Sequence, residues 1–159
     1  MGSFKKFLVA FLCVLVASAL NAGSKTQILL DQLGRAQSME QANPIVEELW
    51  KEWTSAHNNE DEKALMIEGI SAMSKGNLDR AESLFTKLIE VNPYFTEAWN
   101  KRATLRFMAW DFEGSLNDVK KVLALEPRHF GALSGLGMIY LRLGDPESAL
   151  KAYEDLAHI

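Results

Sequence analysis

Histidine is the residue type in this sequence that most often takes part in catalysis or metal binding. The three histidines, His57, His129 and His158, are scattered, and none pairs with a carboxylate at a spacing typical of metal ligands. His129 follows Pro127 and Arg128 at a predicted turn. We therefore interpret it as a solvent-exposed or packing residue and expect no catalytic histidine.

Glycine and acidic residues offer two further patterns, a phosphate-binding loop and a catalytic acid pair. Gly131, Gly135 and Gly137 lie in a predicted helix, with no strand before them and no Lys-Ser/Thr pair after them. Neighbouring acids such as Asp61 and Glu62 fall in loops or helix starts, where negative charge is favourable. No nucleophile, base and acid come together, so we predict no enzyme, no cofactor and no metal site.

The N-terminal segment differs in composition from the rest of the chain. Lys5 and Lys6 precede an apolar run of ten residues, and small residues follow around Ala19 and Ala22. This order predicts a signal peptide over residues 1–22, cleaved after Ala19 or Ala22, and a periplasmic or secreted mature protein. The run is shorter than the ~18–20 residues that a membrane-spanning helix needs, which favours cleavage, and an uncleaved membrane anchor is the alternative.

The mature chain is predicted to be acidic and free of thiols. Cys13, the single cysteine, lies inside the predicted signal peptide, so no disulfide or thiolate site would remain. Removal of Lys5 and Lys6 would change the formal net charge from −4 to −6. Such a charge disfavours nucleic acid and anionic membranes. We expect a protein or peptide partner, with membrane contact only through the transient signal segment.

Residues of similar size recur at intervals of 34 in the remaining sequence. The small sets are Gly69/Ala103/Gly137 and Ala81/Ser115/Ala149, and the bulky set is Phe85/Val119/Tyr153. This period indicates a solenoid with one supersecondary unit per repeat. Apolar residues at steps of three and four predict two helices per unit, separated by Gly76 or Gly144 and closed by Pro93 or Pro127. Small residues would let helices approach closely, and bulky ones would fill the space between neighbouring hairpins.

These residues resemble the tetratricopeptide repeat (TPR) family, whose 34-residue motif has the same pattern of small, aromatic and proline positions. The resemblance covers roughly residues 62–159, and the second unit departs from it at Arg106, normally aromatic, and Trp110, normally glycine. It implies an all-α, right-handed α-solenoid of helical hairpins. Together with the signal peptide, it implies similarity to exported bacterial TPR proteins of the cell envelope.

The segment before the repeats predicts a separate pair of helices. We expect helices near 25–37 and 44–56, the second capped by Asn43 with Pro44 in its first turn, and then a polar loop over 57–62. The predicted domains are a signal peptide at 1–22, an N-terminal helical pair at 23–60 and a TPR array at 61–159. Its units span 62–95, 96–129 and 130–159, the last of them incomplete.

The resemblance implies a non-catalytic protein–protein interaction adaptor or scaffold in the cell envelope. In TPR proteins the first helix of each hairpin lines a concave groove that binds a partner peptide or helix. The matching residues here are Met66, Ile70, Met73, Asn100, Thr104, Phe107, Met108, Ser134, Met138, Leu141 and Arg142. Methionine suits an adaptable binding surface, although a methionine stripe at helical spacing is as typical of a core.

The family's carboxylate clamp, by contrast, is not matched. Chaperone-binding TPR domains hold a C-terminal carboxylate with basic and asparagine side chains on the first helices. The corresponding positions here are Met66, Ile70, Lys101, Gly131 and Gly135. Since one basic residue remains among them, we do not expect recognition of a C-terminal carboxylate.

The alternative function is a structural assembly module that self-associates. The sequence ends within the second helix of the third unit, where Leu150, Tyr153 and Leu156 would form an uncovered apolar edge. We expect either that the chain is a truncated version of a longer protein, or that a partner or second copy covers this edge.

Overall fold

The computed structural model describes residues 25–55 and 59–159, and these contain helices and turns but no strand. The chain divides into two compact units, one ending at Glu52 and the other beginning at Trp53. The predicted signal peptide lies outside the described residues. Within the described ranges, every helix is too short or too polar to cross a membrane.

The first unit contains α1, described over residues 25–33, and most of α2, Met39–Thr54. Leu30 of α1 and Leu49 of α2 are both fully buried. The ammonium group of Lys25 forms ion pairs with Glu48, at 2.8 Å, and with Glu52. Hydrogen bonds to these two carboxylates raise the pKa of Lys25 above its ordinary value of 10.5.

Helix α2 begins upstream of the position that the sequence predicts. The expected start is Pro44 with Asn43 as cap, but Pro44 lies inside the helix, which begins at Met39. The hydroxyl of Ser38 accepts the N–H of Gln41, at 3.4 Å, and the Gln41 side chain accepts the N–H of Gln37 at 2.9 Å. This reciprocal capping starts the helix before the proline.

The second unit contains three helical hairpins that repeat at the predicted period. The helices are α3, Glu60–Ser74; α4, Leu78–Val91; α5, Thr96–Met108; α6, Phe112–Leu125; α7, Phe130–Leu143; and α8, Pro146–Ala157. Helix α3 begins within the predicted loop over 57–62, because the Asn59 side chain accepts the N–H groups of Asp61 and Glu62. The predicted all-α solenoid of hairpins is confirmed, and the second helices α4 and α6 end just before Asn92 and Glu126, as expected.

The second helix of each hairpin begins at the same kind of cap. Asn77, Asp111 and Asp145 occupy equivalent positions of the three hairpins, and each side chain accepts the backbone N–H of the third residue after it. Such a cap contributes roughly 1 kcal/mol to helix stability. The hydrogen bonds from Ser148 also lower the pKa of Asp145 below its ordinary value of 3.8.

The turn inside each hairpin requires a left-handed backbone conformation at one position. Gly76, Trp110 and Gly144 occupy it with φ values of 73°, 65° and 78°. The N–H of the next residue bonds a carbonyl of the preceding helix, at 2.9 Å in all three turns. This conformation costs a residue with a Cβ about 1–2 kcal/mol. The middle hairpin therefore forms the same turn as the others, but with strain.

The small residues of the repeat allow the paired helices to approach closely. A Cβ added to Gly69 would lie 2.5 Å from Phe85, and one added to Gly137 would lie 2.4 Å from Tyr153. The bulky residues thus pack on the glycine of their own hairpin. Phe85 also belongs to a core cluster that includes Leu105 of the next hairpin, so the predicted filling between hairpins occurs as well.

Two core clusters hold the array together. The first comprises Met66, Ala72, Ala81, Phe85, Leu88, Ile89, Phe95, Ala98 and Leu105, and the second Ala103, Val119, Val122, Ala132 and Ile139. Trp99 packs against both clusters, and its indole N–H donates to the carbonyl of Pro93 at 3.0 Å. Helix α5 thereby packs against helices of all three hairpins, α4, α6 and α7.

Candidate partner-binding surface

The first helices place the predicted groove residues in two different environments. Met66 and Asn100 are buried, and Met73, Phe107 and Ser134 are half-buried. The remaining residues are exposed, and we call them the exposed groove surface: Ile70, Thr104, Met108, Met138, Leu141 and Arg142. The buried residues lie in the N-terminal halves of their helices, whereas the exposed surface extends from mid-helix to the C-terminal ends.

Met66 is a core residue rather than a binding residue. Its side chain is 2% exposed and belongs to the first core cluster with Phe85 and Leu88. Met73 packs against the edge of the same cluster. A methionine stripe at helical spacing can therefore supply both core and surface, and only the packed structure separates Met66 from Met108 and Met138.

A buried polar cluster lies at the N-terminal ends of α5 and α7. Glu97 is fully buried, and its Oε2 accepts the side-chain N–H of Asn100 at 3.0 Å. The same oxygen lies 3.2 Å from Nε2 of His129, which is also fully buried. The other oxygen, Oε1, lies 3.0 Å from the Nζ of Lys101. A buried carboxylate is tolerated only with partners of this kind.

These partners keep Glu97 ionised. Burial alone raises the pKa of Glu97, but the hydrogen bond from His129 and the charge of Lys101 lower it by more. The resulting pKa lies below the ordinary value of 4.5. The cluster thus joins an ion pair within α5, Glu97 with Lys101, to a hydrogen bond between neighbouring hairpins, Glu97 with His129.

His129 caps a helix and packs in the interior. Its Nδ1 accepts the backbone N–H of Ala132 at 3.1 Å, so the ring proton is assigned to Nε2, which donates to Glu97. The ring stacks on Trp53 with 4.0 Å between centroids. Phe95, at the equivalent position of the middle hairpin, is likewise the buried residue that precedes α5. His129 is therefore a packing residue, which is one of the two interpretations drawn from sequence.

A second ionic network crosses the middle of the array. The guanidinium of Arg102 makes two 2.8 Å hydrogen bonds to the carboxylate of Asp118, and a third bond, at 3.1 Å, to the hydroxyl of Thr86. Arg106 bonds both Asp118, at 3.0 Å, and Glu82, at 2.9 Å. The arginine at the usual aromatic position therefore joins α4, α5 and α6.

An exposed aromatic group lies at the turn between α5 and α6, next to the exposed groove surface. The ring centroid of Phe112 lies 5.4 Å from that of Phe107 and 5.8 Å from that of Trp110. The guanidinium carbon of Arg142 lies 5.7 Å from the Trp110 ring. Trp110 is 72% exposed, so its ring adds exposed apolar area next to Arg142 of the exposed groove surface.

Sequence reasoning missed both polar contacts between helices, the Glu97–His129 hydrogen bond and the Arg102–Asp118 ion pair. Arg102 and Asp118 have the same separation in sequence as Gly69 and Phe85, which meet within a hairpin. The shared separation was the signal in the sequence from which the contact between Arg102 and Asp118 could have been predicted. Within the part of the chain that the structure describes, no three His, Cys, Asp or Glu side chains come close enough to hold a metal ion.

Comparisons with known proteins match the architecture. The family model described as tetratricopeptide repeat matches residues 109–159. A TPR repeat-containing protein of Rhizobium etli is 34% identical over 138 residues, which cover 84% of this chain and 67% of that protein. Protein FlbA of Caulobacter vibrioides is 26% identical over 135 residues, which are 83% of this chain but 21% of FlbA.

Among solved structures, the first TPR of Spaghetti (RPAP3), bound to the HSP90 peptide SRMEEVD, has a similar fold. It aligns with a TM-score of 0.60 and 25% sequence identity, covering 62% of this chain and 79% of that chain.

Proposed function

The chain belongs to the tetratricopeptide repeat (TPR) family, and from this premise we propose that it is a non-catalytic adaptor that binds a peptide or helix of another protein. TPR proteins are generally interaction modules, and the structural neighbour from Spaghetti is bound to a peptide. The observation that carries the proposal is the exposed groove surface. Met108, Met138 and Leu141 are 50%, 46% and 54% exposed on α5 and α7, two helices that contact each other, and exposed apolar side chains on neighbouring helices mark interaction sites.

The partner would bind at the C-terminal ends of the first helices. At the other end of the predicted groove, Met66 and Asn100 are buried and present no surface to a partner. Each apolar side chain of a partner that is fully buried contributes ~1.5–3 kcal/mol, and association and ordering cost ~4–15 kcal/mol. A few such contacts support a weak to moderate affinity, which suits a transient scaffold.

The partner would be recognised through apolar side chains rather than through a C-terminal carboxylate. Lys101 is the one basic residue at the positions that correspond to the family's carboxylate clamp. Its ammonium group lies 3.0 Å from Glu97, so a carboxylate inside the protein already pairs with it.

Two exposed leucines allow a matched test of this surface. The double variant Met108→Glu/Leu141→Glu places two charges on it, whereas Leu150→Glu changes a 60% exposed residue of α8 outside it. Both variants should stay folded, because none of these side chains is in a core cluster. In pull-downs from a cell-envelope extract, the parent and Leu150→Glu should retain the same partner and the double variant should lose it. Equal capture by all three would refute the proposal.

We also propose that the protein acts in the cell envelope after export. The support is the order of Lys5, Lys6, the apolar run and the small residues at Ala19 and Ala22. Alkaline phosphatase fused to the C-terminus, active only outside the cytoplasm, should be active with the full chain and inactive after deletion of residues 1–22. Activity that does not depend on this segment would contradict export by a signal peptide.

Self-association through α8 is the second candidate function. Leu150 is 60% exposed, and Tyr153 and Leu156 are half-buried on the same helix. Light scattering over a wide concentration range should then detect oligomers that Leu150→Glu dissociates. A strict monomer would leave the adaptor role as the single candidate.

A further inference from the structure

We propose that Trp110 and Arg142 determine which partner binds: an apolar segment of another protein that carries an acidic residue. The Trp110 ring would contact an aliphatic or aromatic side chain of that segment, and the Arg142 guanidinium would pair with its carboxylate. This inference rests on the proposed function, since it extends the exposed groove surface to the turn between α5 and α6.

The backbone at Trp110 shows that the fold does not favour this residue. Its φ of 65° is the left-handed conformation that glycine provides in the other two hairpins, at Gly76 and Gly144. Nothing lies within 4 Å of a Cβ added to either glycine. Space is therefore available at this position, and the backbone conformation alone disfavours a side chain. Strain of this kind is retained where a side chain has a role in function.

The packing of the ring does not compensate for this strain. Trp110 is 72% exposed, and within residues 25–55 and 59–159 its ring contacts Phe112 and Arg142. Most of a large apolar surface therefore faces solvent beside Met108. Tryptophan and arginine are the side chains most enriched among the residues that dominate binding energy at protein interfaces.

The charge of Arg142 indicates the chemistry of the partner. Arg142 is the single charged member of the exposed groove surface, and among residues 25–55 and 59–159 no carboxylate lies within 4.0 Å of its guanidinium. The nearby Arg106, by contrast, is paired with Glu82 and Asp118. A guanidinium held beside an aromatic ring can still bind a carboxylate with both N–H groups.

The carboxylate next in sequence to Trp110 does not satisfy Arg142. Asp111 accepts the N–H of Gly114 at 2.9 Å as the cap of α6, and it lies 3.9 Å from Arg106. The surface is therefore apolar with one solvent-exposed positive charge that has no ion-pair partner among the described residues. Its complement is an apolar segment with one negative charge.

The probe for this inference is a peptide selected on the protein itself. Short random peptides displayed on phage are selected on the immobilised chain, and the most enriched sequence is synthesised with its acidic residue either kept or changed to the amide. Selected sequences should combine an acidic residue with neighbouring apolar ones. Failure to enrich any peptide, or enrichment of basic ones, would overturn the inference.

Variants then assign the contacts. Trp110→Gly should weaken binding of the acidic peptide by about tenfold or more, which is a typical loss when a dominant interface residue is removed. Arg142→Gln should weaken binding of the acidic peptide by a similar factor but leave that of the amide peptide unchanged. Tyr94→Ala is the matched control, because Tyr94 is 79% exposed at the turn between α4 and α5, and it should bind like the parent.

The results separate this inference from the adaptor proposal. Loss of binding in Met108→Glu/Leu141→Glu, with full affinity in Trp110→Gly and Arg142→Gln, would refute the inference and keep the adaptor role. Full affinity in all of these variants would refute both. Sedimentation of the parent with phosphatidylglycerol vesicles, lost in Trp110→Gly, would overturn the inference in favour of a membrane surface. Melting curves verify that each variant is folded.

Discussion

The first and middle hairpins solve one packing problem with different residues. Between α3 and α4, the ring of Phe85 lies against Gly69, so closely that a Cβ there would be 2.5 Å from it. The middle hairpin has Ala103 and Val119 at these positions, both in the second core cluster. The methyl group of Ala103, which Gly69 lacks, is thus accommodated because Val119 is smaller than Phe85. The repeat fixes the combined volume of the pair rather than the identity of either residue.

The turns of the same two hairpins differ in another way. Gly76 and Trp110 adopt the same left-handed conformation, but no other change near Trp110 relieves its strain. Core departures such as Ala103 with Val119 are compensated by a contacting residue. The replacement of glycine by Trp110 at the turn is not compensated by a contacting residue. This difference leads us to assign Trp110 to binding rather than to folding.

Among single substitutions in the first and middle hairpins, a change at Phe85 should have the largest effect on the free energy of unfolding. Phe85→Ala should cost ~3–5 kcal/mol, because it removes a fully buried ring from the first core cluster and leaves a cavity over Gly69. Denaturant unfolding at equilibrium measures this cost. Leu150→Ala, at an exposed position, is the control and should change little. A parent-like midpoint for Phe85→Ala would contradict the hairpin packing.

The ionic network distinguishes the middle hairpin most clearly from the first. Asp118 bonds Arg102 and Arg106, whereas the equivalent residue of the first hairpin is Leu84. Asp118→Asn should cost about 3 kcal/mol, because it leaves two arginines without their shared charge. The same unfolding experiment measures it, with the exposed change Asp61→Asn as control. A loss below roughly 0.5 kcal/mol, as for surface ion pairs, would show that the network is not a structural contact.

Gly69→Ala tests the volume rule directly. In the parent it should cost ~1–3 kcal/mol, because the new methyl group overlaps the Phe85 ring. In a Phe85→Val background, which copies the middle hairpin, the cost should disappear. A double-mutant cycle gives the coupling between the two sites. An equal cost of Gly69→Ala in the parent and in the Phe85→Val background would contradict the matched volumes of the two residue pairs.

The hairpin architecture could be predicted from sequence because it depends on local, periodic signals. Gly76 and Gly144 give the turns, and Pro93 and Pro127 follow the ends of α4 and α6. The close approach at Gly69 also follows from the repeat. The predicted start of α2 at Pro44 is wrong, because the capping pair Ser38 and Gln41 starts the helix at Met39, upstream of the proline.

The candidate site could be predicted only in part. The period gives the helix on which each residue lies, so Met66 and Met108 were indistinguishable in sequence. Burial depends on how neighbouring helices pack, and this places Met66 in the core and leaves Met108 half exposed. The contact of Glu97 with His129 joins residues on different hairpins, at a separation with no pattern of its own in the sequence.

Acid should weaken the middle hairpin through Glu97, whose counterpart in the first hairpin is the exposed Lys63. The folded-state pKa of Glu97 lies below the ordinary 4.5, so the unfolded chain binds this proton more tightly. Its contribution is therefore complete above pH 4.5 and is lost as the pH falls through the folded pKa. Glu97→Gln should be less stable than the parent at pH 7, with a difference that shrinks below pH 4.5. A pH-independent difference would contradict this account.

The thermal midpoint of Trp110→Gly tests the central claim most directly. Relief of the left-handed strain, about 1–2 kcal/mol, should exceed the loss of the two exposed ring contacts, with Arg142 and with Phe112, about 0.5 kcal/mol each at this exposure. The midpoint should therefore rise by roughly 1–4 °C, while Gly76→Ala, the opposite change at the equivalent position, should lower it. A lower midpoint for Trp110→Gly would show that the tryptophan stabilises the fold, and its assignment to partner binding would then lose its basis.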